Sequence, residues 1–555
     1  MRVAIILILI FVVTGCTSDL DQGRQSLVKA AANNAPQISE IAASSVSIDA
    51  SYDCQVRAAS TVTLTCTASD GDGDSLTYAW SETNNKGLFS FVDTAETIWS
   101  APTEAGSYTV SCQVSDSIAT DSESVNIAVG AVTTTTTSTT TTTFPSIIQK
   151  DGEATQDIFG HVVASAGDVN NDGYPDFIVG APDANPEGVV SAGSAYVFSG
   201  NGGAQLFKKN GEESADLLGI CAAGAGDVNG DGYADFIIGA YRDDPDGRSN
   251  AGSAYVYSGQ NGNELYQKNG EVAEDQFGFS VAGAGDVNND GYDDFIVGAY
   301  SADPGGQSSA GSAYVYSGLN GNELYQKDGE DSADFFGYCV ASAGDVNKDG
   351  YNDFIVGAYW ADPGGRDRAG SVYVYSGLNG NELYQKDGEV SVDYFGQSVA
   401  SAGDVNGDGY ADFIVGAIFT DPSGRTNAGS VYVYSGLNGN ELYQIDGAAE
   451  GDWLGWSVAG AGDVDNDDYD DFIIGAHRAD PGGLEDAGSA YIYSGKTGSL
   501  IEQKNGSAAG DNFGFSVASA GDVDGDGKAD VIIGARGASP GGKTEAGSVY
   551  LYITQ

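Results

Sequence analysis

The chain has 555 residues with 81 Gly, 31 Tyr and a hydrophobic fraction of 41%, a composition typical of a folded, turn-rich and strand-rich protein rather than a disordered one. Because this length exceeds a single ordinary core, we expect two or more domains. The formal net charge of −56 argues against nucleic acid and against an anionic membrane surface as partners.

The first residues predict an export signal. An apolar run over residues 3–13 follows Arg2 and is too short for a permanent membrane helix. The small residues directly before Cys16 resemble the lipobox of bacterial lipoproteins, and this resemblance implies removal of residues 1–15 and lipidation of Cys16. Thr17 favours the outer membrane by the same resemblance, so we expect an exported lipoprotein, at the cell surface or in the periplasm. An ordinary signal followed by a stray cysteine is the alternative.

The next segments predict a tether, a small domain and a linker. Residues 16–34 are small and polar and favour a flexible tether. Residues 35–130 contain short alternating runs, such as 61–66 and 108–114, that are typical of strands in a β-sandwich. Residues 131–143 are dominated by Thr and cannot form a core. They favour a plain linker, with O-glycosylation as the alternative.

The predicted β-sandwich carries a Cys, Trp, Cys order. Trp80 lies between Cys66 and Cys112, which resembles bacterial immunoglobulin-like or PKD-like domains, with Tyr108 in the position of their strand-F tyrosine. The resemblance implies a disulfide between Cys66 and Cys112, which export would permit. Pairing of Cys54 with Cys66 across a hairpin stays open.

Residues 144–555 are dominated by one nine-residue acidic loop that occurs seven times at an interval of 59 residues. The loops hold carboxylates or amides at positions 1, 3, 5 and 9, usually Gly at position 6 for a sharp turn, and a backbone carbonyl at position 7, which are the oxygen ligands that Ca²⁺ prefers. The predicted metal ligands are Asp168, Asn170, Asp172, Tyr174, Asp176, Asp227, Asn229, Asp231, Tyr233, Asp235, Asp286, Asn288, Asp290, Tyr292, Asp294, Asp345, Asn347, Asp349, Tyr351, Asp353, Asp404, Asn406, Asp408, Tyr410, Asp412, Asp463, Asp465, Asp467, Tyr469, Asp471, Asp522, Asp524, Asp526, Lys528 and Asp530.

Turn formation alone is the alternative for these loops, since Asp, Asn and Gly all favour turns. A turn needs one or two such residues, whereas all seven loops keep four acids or amides in register. Packing these carboxylates together is unfavourable unless a dication offsets them, so we expect up to seven Ca²⁺. The sixth loop has Asp468 in place of Gly, where a left-handed backbone suits Asp less well, and should be the weakest site.

Each repeat also predicts four strands, which together describe an all-β fold with a seven-bladed β-propeller. In the third repeat the strands fall at 278–285, 294–299, 311–318 and 323–327. The chain ends on a third strand, so the segment at 144–153, which aligns with the fourth strand of other repeats, is expected to complete the last blade.

Phe-Gly before the loop and Gly-Ala-Pro after it resemble the FG-GAP repeats of the integrin α-subunit β-propeller. Phe159-Gly160, Phe277-Gly278 and Gly180-Ala181-Pro182 show the pattern. The resemblance implies ligand binding on the face opposite the metal loops, where the connections between strands 2 and 3 lie. All seven loops look competent for metal, whereas integrins typically keep only some, which suggests a heavier reliance on Ca²⁺.

Arg and aromatic residues collect in the predicted 2-to-3 loops, and such side chains carry binding energy at interfaces. The expected ligand-binding residues are Arg242, Tyr300, Tyr359, Trp360, Arg366, Arg368, Phe419, Arg425 and Arg478. The alternative is that the aromatics cap the sheets and the Arg residues offset neighbouring Asp.

These patterns favour a monomeric, lipid-anchored adhesion or ligand-binding module whose partner is a protein or glycan. A fixed repeat without blade-specific insertions argues against an enzyme. His161 and His477, far apart in sequence, are expected to be structural or surface residues rather than a catalytic pair. A propeller enzyme acting on polysaccharide and a passive scaffold are the alternatives.

Overall fold

The structure, a computed structural model, describes residues 147–554 without a gap, together with separate strands before them. The chain divides into two compact units, Met1–Thr142 and Thr143–Gln555. The predicted tether at 16–34 and Thr-rich linker at 131–143 lie outside the described residues.

The N-terminal unit is built from antiparallel and parallel strand pairs in two main sheets. The four-stranded sheet has the order Cys54–Arg57, Thr120–Gly130, Gly106–Ser115 and Thr77–Glu82. The three-stranded sheet has the order Thr61–Thr65, Glu96–Ser100 and Leu88–Phe89, and Ile6–Ile8 pairs separately with Thr67–Ser69. Two sheets agree with the predicted sandwich.

Two of the residues singled out in this unit lie side by side. Trp80 is opposite Cys112 in the strand register, and both are buried, as is Tyr108. Cys66 lies outside the described residues, so its pairing with Cys112 stays a prediction. The lipidation expected at Cys16 also lies outside them.

The second unit is a ring of seven four-stranded antiparallel sheets, which confirms the predicted propeller. We number the blades 1–7 and the strands of each blade from 1, innermost, to 4. From strand 1 to strand 4, the strands are Val162–Gly167, Asp176–Ala181, Ser194–Phe198 and Gln205–Asn210 in blade 1; Ala222–Gly226, Asp235–Ala240, Ser253–Tyr257 and Glu264–Asn269 in blade 2; Phe277–Gly285, Asp294–Ala299, Ser312–Tyr316 and Glu323–Asp328 in blade 3; Cys339–Gly344, Asp353–Ala358, Ser371–Tyr375 and Glu382–Asp387 in blade 4; Phe395–Gly403, Asp412–Ala417, Ser430–Tyr434 and Glu441–Asp446 in blade 5; Ser457–Gly462, Asp471–Ala476, Ser489–Tyr493 and Leu500–Asn505 in blade 6; and Phe513–Gly521, Asp530–Ala535, Ser548–Tyr552 and Ile147–Asp151 in blade 7.

Short 3₁₀ turns lie between strands 2 and 3 of every blade. Their bounds are Pro186–Gly188, Pro245–Gly247, Pro304–Gly306, Pro363–Gly365, Pro422–Gly424, Pro481–Gly483 and Pro540–Gly542. Each begins at a proline, whose fixed φ suits the first position of such a turn.

The hydrophobic core lies between neighbouring blades. Strand 2 of blade 3, Asp294–Ala299, has all six residues buried because blades cover both of its faces. Its Phe295 packs in one cluster with Ile237 and Val256 of blade 2. Burying a side chain of this size stabilises the fold by about 1.5–3 kcal/mol. A continuous apolar run is the expected pattern for a strand buried on both faces.

The ring is closed by the first strand of the unit, as the sequence predicts. Ile147–Asp151 pairs antiparallel with Ser548–Tyr552, from Ile147 opposite Tyr552 to Asp151 opposite Ser548. Closure is reinforced at strand 1, where the Val163 N–H donates to Ser516 Oγ at 3.0 Å. The two ends of the repeat array therefore hold each other in one blade.

Within the residues that the structure describes, none of the elements is a helix with the length and apolar character needed to cross a membrane.

Candidate metal loops and the opposite face of the propeller

The acidic loops all share one internal hydrogen-bond pattern, shown here for blade 3. The carboxylate of Asp286 accepts the N–H groups of Asp290 at 3.0 Å and Gly291 at 2.8 Å. The carboxylate of Asp290 accepts the Tyr292 N–H at 3.1 Å. These bonds fold the loop into one tight turn that is closed by its own carboxylates.

The last carboxylate of each loop is buried. Asp294 is 0% exposed and accepts the N–H groups of Val287 at 3.0 Å and Gly318 at 2.9 Å, so it joins its own loop to the turn between strands 3 and 4. Burial is the main reason that the pKa of Asp294 is raised to about 7; the charges of Asp290 and Asp286 add to the rise, and the two backbone hydrogen bonds oppose it. A carboxylate in this environment is stabilised in its charged form by a nearby cation.

The sixth position of the loops is left-handed, as predicted. Its φ is +89° at Gly173 and +93° at Gly527, and Asp468 adopts +70° in the loop that lacks Gly. That loop also has a lysine partner, because Lys496 Nζ lies 3.6 Å from Asp467 Oδ2. A left-handed Asp and a competing ammonium both act against metal binding, so the sixth loop stays our predicted weakest site.

The side chains of the loops fit a divalent cation. In blades 6 and 7 three carboxylates come together, with oxygens within 4.8 Å of one another: Asp463 with Asp465 and Asp471, and the matching set in blade 7. In blade 1 Asn170 takes the third position, and its Oδ1 is buried without a hydrogen-bond partner among the described residues. An unpaired amide oxygen beside buried carboxylates provides the oxygen ligands that a hard cation prefers.

Neighbouring loops are linked through their backbones. The N–H of the eighth loop residue donates to the carbonyl of the first residue in the preceding blade, for example Asp293 to Asp227 at 3.3 Å and Ala529 to Asp463 at 2.8 Å. The eighth residue of blade 1 is Pro175, which has no N–H, so the seam between blades 7 and 1 lacks this donor.

The other face of the ring carries a continuous arc of aromatic rings around the inner ends of the blades. Ring centroids lie 5.3 Å apart for Tyr241 and Phe279, 4.9 Å for Phe279 and Tyr338, and 4.3 Å for Tyr338 and Tyr359. The arc then continues through blades 5, 6 and 7. We define the aromatic arc as Tyr241, Phe279, Tyr300, Phe335, Tyr338, Tyr359, Trp360, Tyr394, Phe419, Trp453, Trp456 and Phe515.

The arc includes four of the expected ligand-binding residues, and most of its rings are half-buried. Tyr300, Tyr359, Trp360 and Phe419 all lie in it. The indole Nε1 of Trp360 is buried with no hydrogen-bond partner among the described residues.

Of the remaining arc members, Tyr241 lies in a 2-to-3 loop, directly after strand 2 of blade 2. The others lie outside these loops, at the residue directly after the Phe-Gly pair, Leu-Gly in blade 6, or the residue directly before it. Aromatic enrichment at those two positions was the available signal.

The expected ligand-binding arginines divide into two groups. Arg366 and Arg425 donate from Nε to the carbonyls of Gly388 at 2.9 Å and Gly447 at 3.0 Å, so they hold the backbone between strands 4 and 1. Arg242, Arg368 and Arg478 instead lie over aromatic rings of the arc, at 5.2, 5.6 and 3.9 Å from the ring centroids.

Both histidines of the chain lie on this same face, beside one phenylalanine. His161 and His477 are 5.0 and 5.1 Å from the ring of Phe515, centroid to centroid. The guanidinium of Arg536 stacks on Phe515 at 3.6 Å, and its Nη1 is 3.4 Å from His161 Nδ1. The sequence separates these residues widely, and only closure of the ring between blades 7 and 1 brings them together.

Burial and the nearby guanidinium groups keep both imidazoles neutral. Burial lowers the pKa of His477 to about 3, and the charges of Arg536 and Arg478 act in the same direction. Burial and Arg536 lower the pKa of His161 to about 3. Burial, with a contribution from Arg478, lowers the pKa of Arg536 to about 10, against the opposing charges of Asp183 and Glu545.

Seven four-stranded blades with an acidic loop after each innermost strand define a seven-bladed β-propeller. A family model described as the FG-GAP repeat matches the chain seven times, at residues 159–198, 222–257, 277–316, 336–375, 395–434, 454–493 and 513–552. The chain belongs to the FG-GAP repeat family, and its propeller is integrin-like. A second model, described as a K319L-like PKD domain, matches residues 50–129 and confirms the predicted N-terminal domain.

The relatives in the comparison are integrin α subunits. Integrin alpha-5 of Xenopus laevis is 34% identical over 221 residues, which is 37% of this chain and 20% of the relative. Integrin alpha-V of Gallus gallus is 31% identical over 40% of this chain and 22% of its own length. Integrin alpha-PS2 of Drosophila melanogaster is 31% identical over 38% and 16%. The chain thus matches about a fifth of the length of these relatives.

Proposed function

We propose that the protein is an exported recognition module whose propeller is stabilised by Ca²⁺ and binds a protein or glycan on the face opposite the metal loops. The observation that carries this proposal is the aromatic arc, a half-buried apolar surface with arginines stacked upon it. Such surfaces are where binding energy concentrates at interfaces. Membership of an integrin-like family supports binding or adhesion as the general activity.

Calcium is proposed as a structural ion in this account. Bound at the loops, it would supply positive charge that neutralises the clustered carboxylates. In the third loop Asp286, Asp290 and Asp294 would hold it, together with Asn288 and the carbonyl of Tyr292. The formal charge of −56 makes this neutralisation important, because self-repulsion opposes the compact state.

The two faces of the ring would therefore have separate roles. Hydrogen bonds link neighbouring metal loops, so this face would stabilise the ring. The opposite face carries the arc and the stacked arginines Arg242, Arg368 and Arg478, and would bind the ligand. An arginine lying over an aromatic ring is preorganised, so less side-chain entropy is lost when it meets a ligand.

Binding to arrays of printed glycans and of immobilised extracellular proteins tests this proposal. Trp360→Ala combined with Phe419→Ala removes two half-buried rings of the arc and should abolish binding. Because both rings pack on their neighbours, the melting temperature in Ca²⁺ should also fall, so binding is measured well below it. The matched control is Leu319→Ala with Leu378→Ala, which removes two apolar side chains that are 47% and 46% exposed in the turns between strands 3 and 4. Full binding by the arc variant would place the site elsewhere.

Export and lipid anchoring complete the proposal and rest on the sequence around Cys16. Cys16→Ala should release the protein from the membrane fraction, since the lipid is the only proposed anchor. Retention of this variant in washed membranes would point to a different anchor. Release of reducing sugar from polysaccharide by the purified protein would favour the enzyme alternative instead.

A further inference from the structure

Two repeat positions meet on the ligand-binding face, and in blades 6, 7 and 1 they carry His, Arg and Trp residues. The residue after the Gly-Ala pair is Tyr in blades 2, 3 and 4 but His477 in blade 6 and Arg536 in blade 7. The residue after the Phe-Gly pair is His161 in blade 1 and Trp456 in blade 6. No other blade has His or Arg at these two positions, so this part of the ring differs from the rest in its basic residues.

These residues and the rings and guanidinium next to them form one contiguous group, which we call the His-Arg cluster: His161, Trp453, Trp456, His477, Arg478, Phe515 and Arg536. His477 lies 4.6 Å from the ring of Trp456 and 5.7 Å from that of Trp453. Arg478 stacks on Trp453, and Arg536 stacks on Phe515. The cluster is continuous with the aromatic arc through Phe419 and Trp453, 5.1 Å apart.

Within the part of the chain that the structure describes, His477 Nδ1 in the His-Arg cluster lacks a hydrogen-bond partner, and Arg536 lacks an acidic partner although its Nη1 lies 3.4 Å from His161 Nδ1. His477 is only 4% exposed, and its Nδ1 has no hydrogen-bond partner among the described residues. Arg536 is partly buried, yet within residues 147–554 no carboxylate lies within 4.0 Å of its guanidinium. Asp183 and Glu545 are the nearest acids that act on its charge. An unpartnered buried polar group is costly, and a bound ligand is one way in which such a group is satisfied.

The charge of the His-Arg cluster is opposite in sign to the net charge of the whole chain. Two guanidinium groups and two imidazoles lie together in a protein with a formal charge of −56. The unpaired groups are all able to donate hydrogen bonds to an anion, and a planar guanidinium matches a carboxylate with two parallel bonds. A long polyanion would be repelled by the surrounding acids, whereas one isolated carboxylate would not.

The tryptophan rings next to the arginines favour one kind of carboxylate ligand over others. Trp453 and Trp456 are half-buried and keep part of their surface open at this face. An amide lies beside the cluster as well, since Asn512 Nδ2 is 3.5 Å from the His477 carbonyl oxygen. Apolar ring faces next to donor groups match a pyranose, which has an apolar CH face and polar edges.

We propose that the His-Arg cluster binds the carboxylate of an acidic sugar, with Arg478, Arg536 and His477 contacting the carboxylate and Trp453 and Trp456 flanking the sugar ring. This inference rests on the proposed function, because it names the ligand class for part of the same face. It also locates ligand binding on that face at blades 6, 7 and 1.

A fluorescence titration with glucuronate tests this inference directly. Three of the five tryptophans of the chain lie in the aromatic arc, so binding should change the intrinsic fluorescence. The experiment uses the intact protein in Ca²⁺ at constant ionic strength, with glucose, acetate and the peptide Gly-Asp-Gly as the other probes. We expect saturable binding of glucuronate with a roughly millimolar Kd, typical of a single small ligand, and at least about tenfold weaker binding of the other three probes.

Arg478→Gln removes an exposed guanidinium and should weaken glucuronate binding by about tenfold or more, because a charge-assisted pair is lost. Arg536→Gln should have at least the same effect. Lys504→Gln, the same charge change on the outer strand of blade 6, is the matched control and should bind as the parent does. Melting temperatures in Ca²⁺ verify that each variant is folded.

Three results would overturn the inference. They are no saturable response to glucuronate, unchanged binding by folded Arg478→Gln, and equal or tighter binding of glucose, acetate or the acidic peptide. Tighter binding of the peptide would assign the cluster to a protein partner. Because the titration needs no natural surface, a protein that binds the printed arrays but not glucuronate would contradict this inference alone.

Discussion

The most informative single substitution is at the buried carboxylate of a metal loop, because it separates the role of the protein from the role of the metal. Asp294 accepts two backbone N–H groups in a site that is 0% exposed. Asp294→Ala leaves both donors unpaired, and each unpaired buried donor costs about 1–3 kcal/mol. We therefore expect the free energy of unfolding to fall by about 2–6 kcal/mol even when no metal is present.

Asp290 in the same loop provides the matched control. Its carboxylate is exposed and accepts one backbone N–H, from Tyr292 at 3.1 Å. Asp290→Ala should cost only about 0.5–1.5 kcal/mol in chelator, the value of one ordinary hydrogen bond. Both substitutions should weaken the effect of added Ca²⁺ on stability, since both residues are predicted ligands.

Urea unfolding of both variants, in chelator and in Ca²⁺, measures these differences. Asp294→Asn, which keeps one acceptor oxygen, should fall between the parent and Asp294→Ala in chelator. Equal destabilisation by Asp294→Ala and Asp290→Ala in chelator would refute the reasoning, because it would show that the buried hydrogen bonds contribute nothing of their own.

Three further predictions follow from the ring and its opposite face. Deleting residues 144–150 removes most of the strand that closes blade 7, so the shortened protein should melt earlier and associate through the exposed edge in size-exclusion chromatography; a monomer with the parental melting temperature would contradict this. Tyr443→Phe removes a 2.7 Å hydrogen bond from the outer strand of blade 5 to the Gly495 carbonyl of blade 6, and urea unfolding should show a loss of about 1 kcal/mol, whereas no loss would mean that this link is not stabilising. The pKa of His477 is lowered from 6.5 to about 3 in the fold, so its contribution to stability is complete above pH 6.5 and is lost as the pH falls towards 3. Relative to His477→Phe, the parent should lose about 1 kcal/mol of unfolding free energy between roughly pH 6.5 and 5.5, and parallel pH profiles would contradict the assignment.

The features that follow from local backbone chemistry could be predicted from the sequence. The left-handed turn at Asp468 was predictable because the other six loops have Gly there, and the closing strand because it repeats the pattern of a fourth strand. The seven blades were predictable because one strand pattern recurs at a fixed interval. These features depend on residues that are close in sequence or related by the repeat.

The candidate binding face could be predicted only in part, because it depends on which side chains meet across blades. Arg366 occupies a 2-to-3 loop as expected, yet its Nε is bonded to the Gly388 carbonyl. Phe279 and Tyr338 lie outside those loops, and the structure shows that they connect the arc. His161 approaches Arg536 only because the ring closes, which no local pattern in the sequence encodes.

Calcium dependence is the central claim of this account, and a thermal unfolding experiment tests it most directly. The intact protein is melted in excess Ca²⁺, in excess chelator, and in chelator with Mg²⁺ added back. Each site held at about 100 times its Kd adds about 2.7 kcal/mol to the free energy of unfolding by mass action. The account predicts a large rise in melting temperature with Ca²⁺ and a smaller one with Mg²⁺, and an identical melting temperature with Ca²⁺ and with chelator would contradict it.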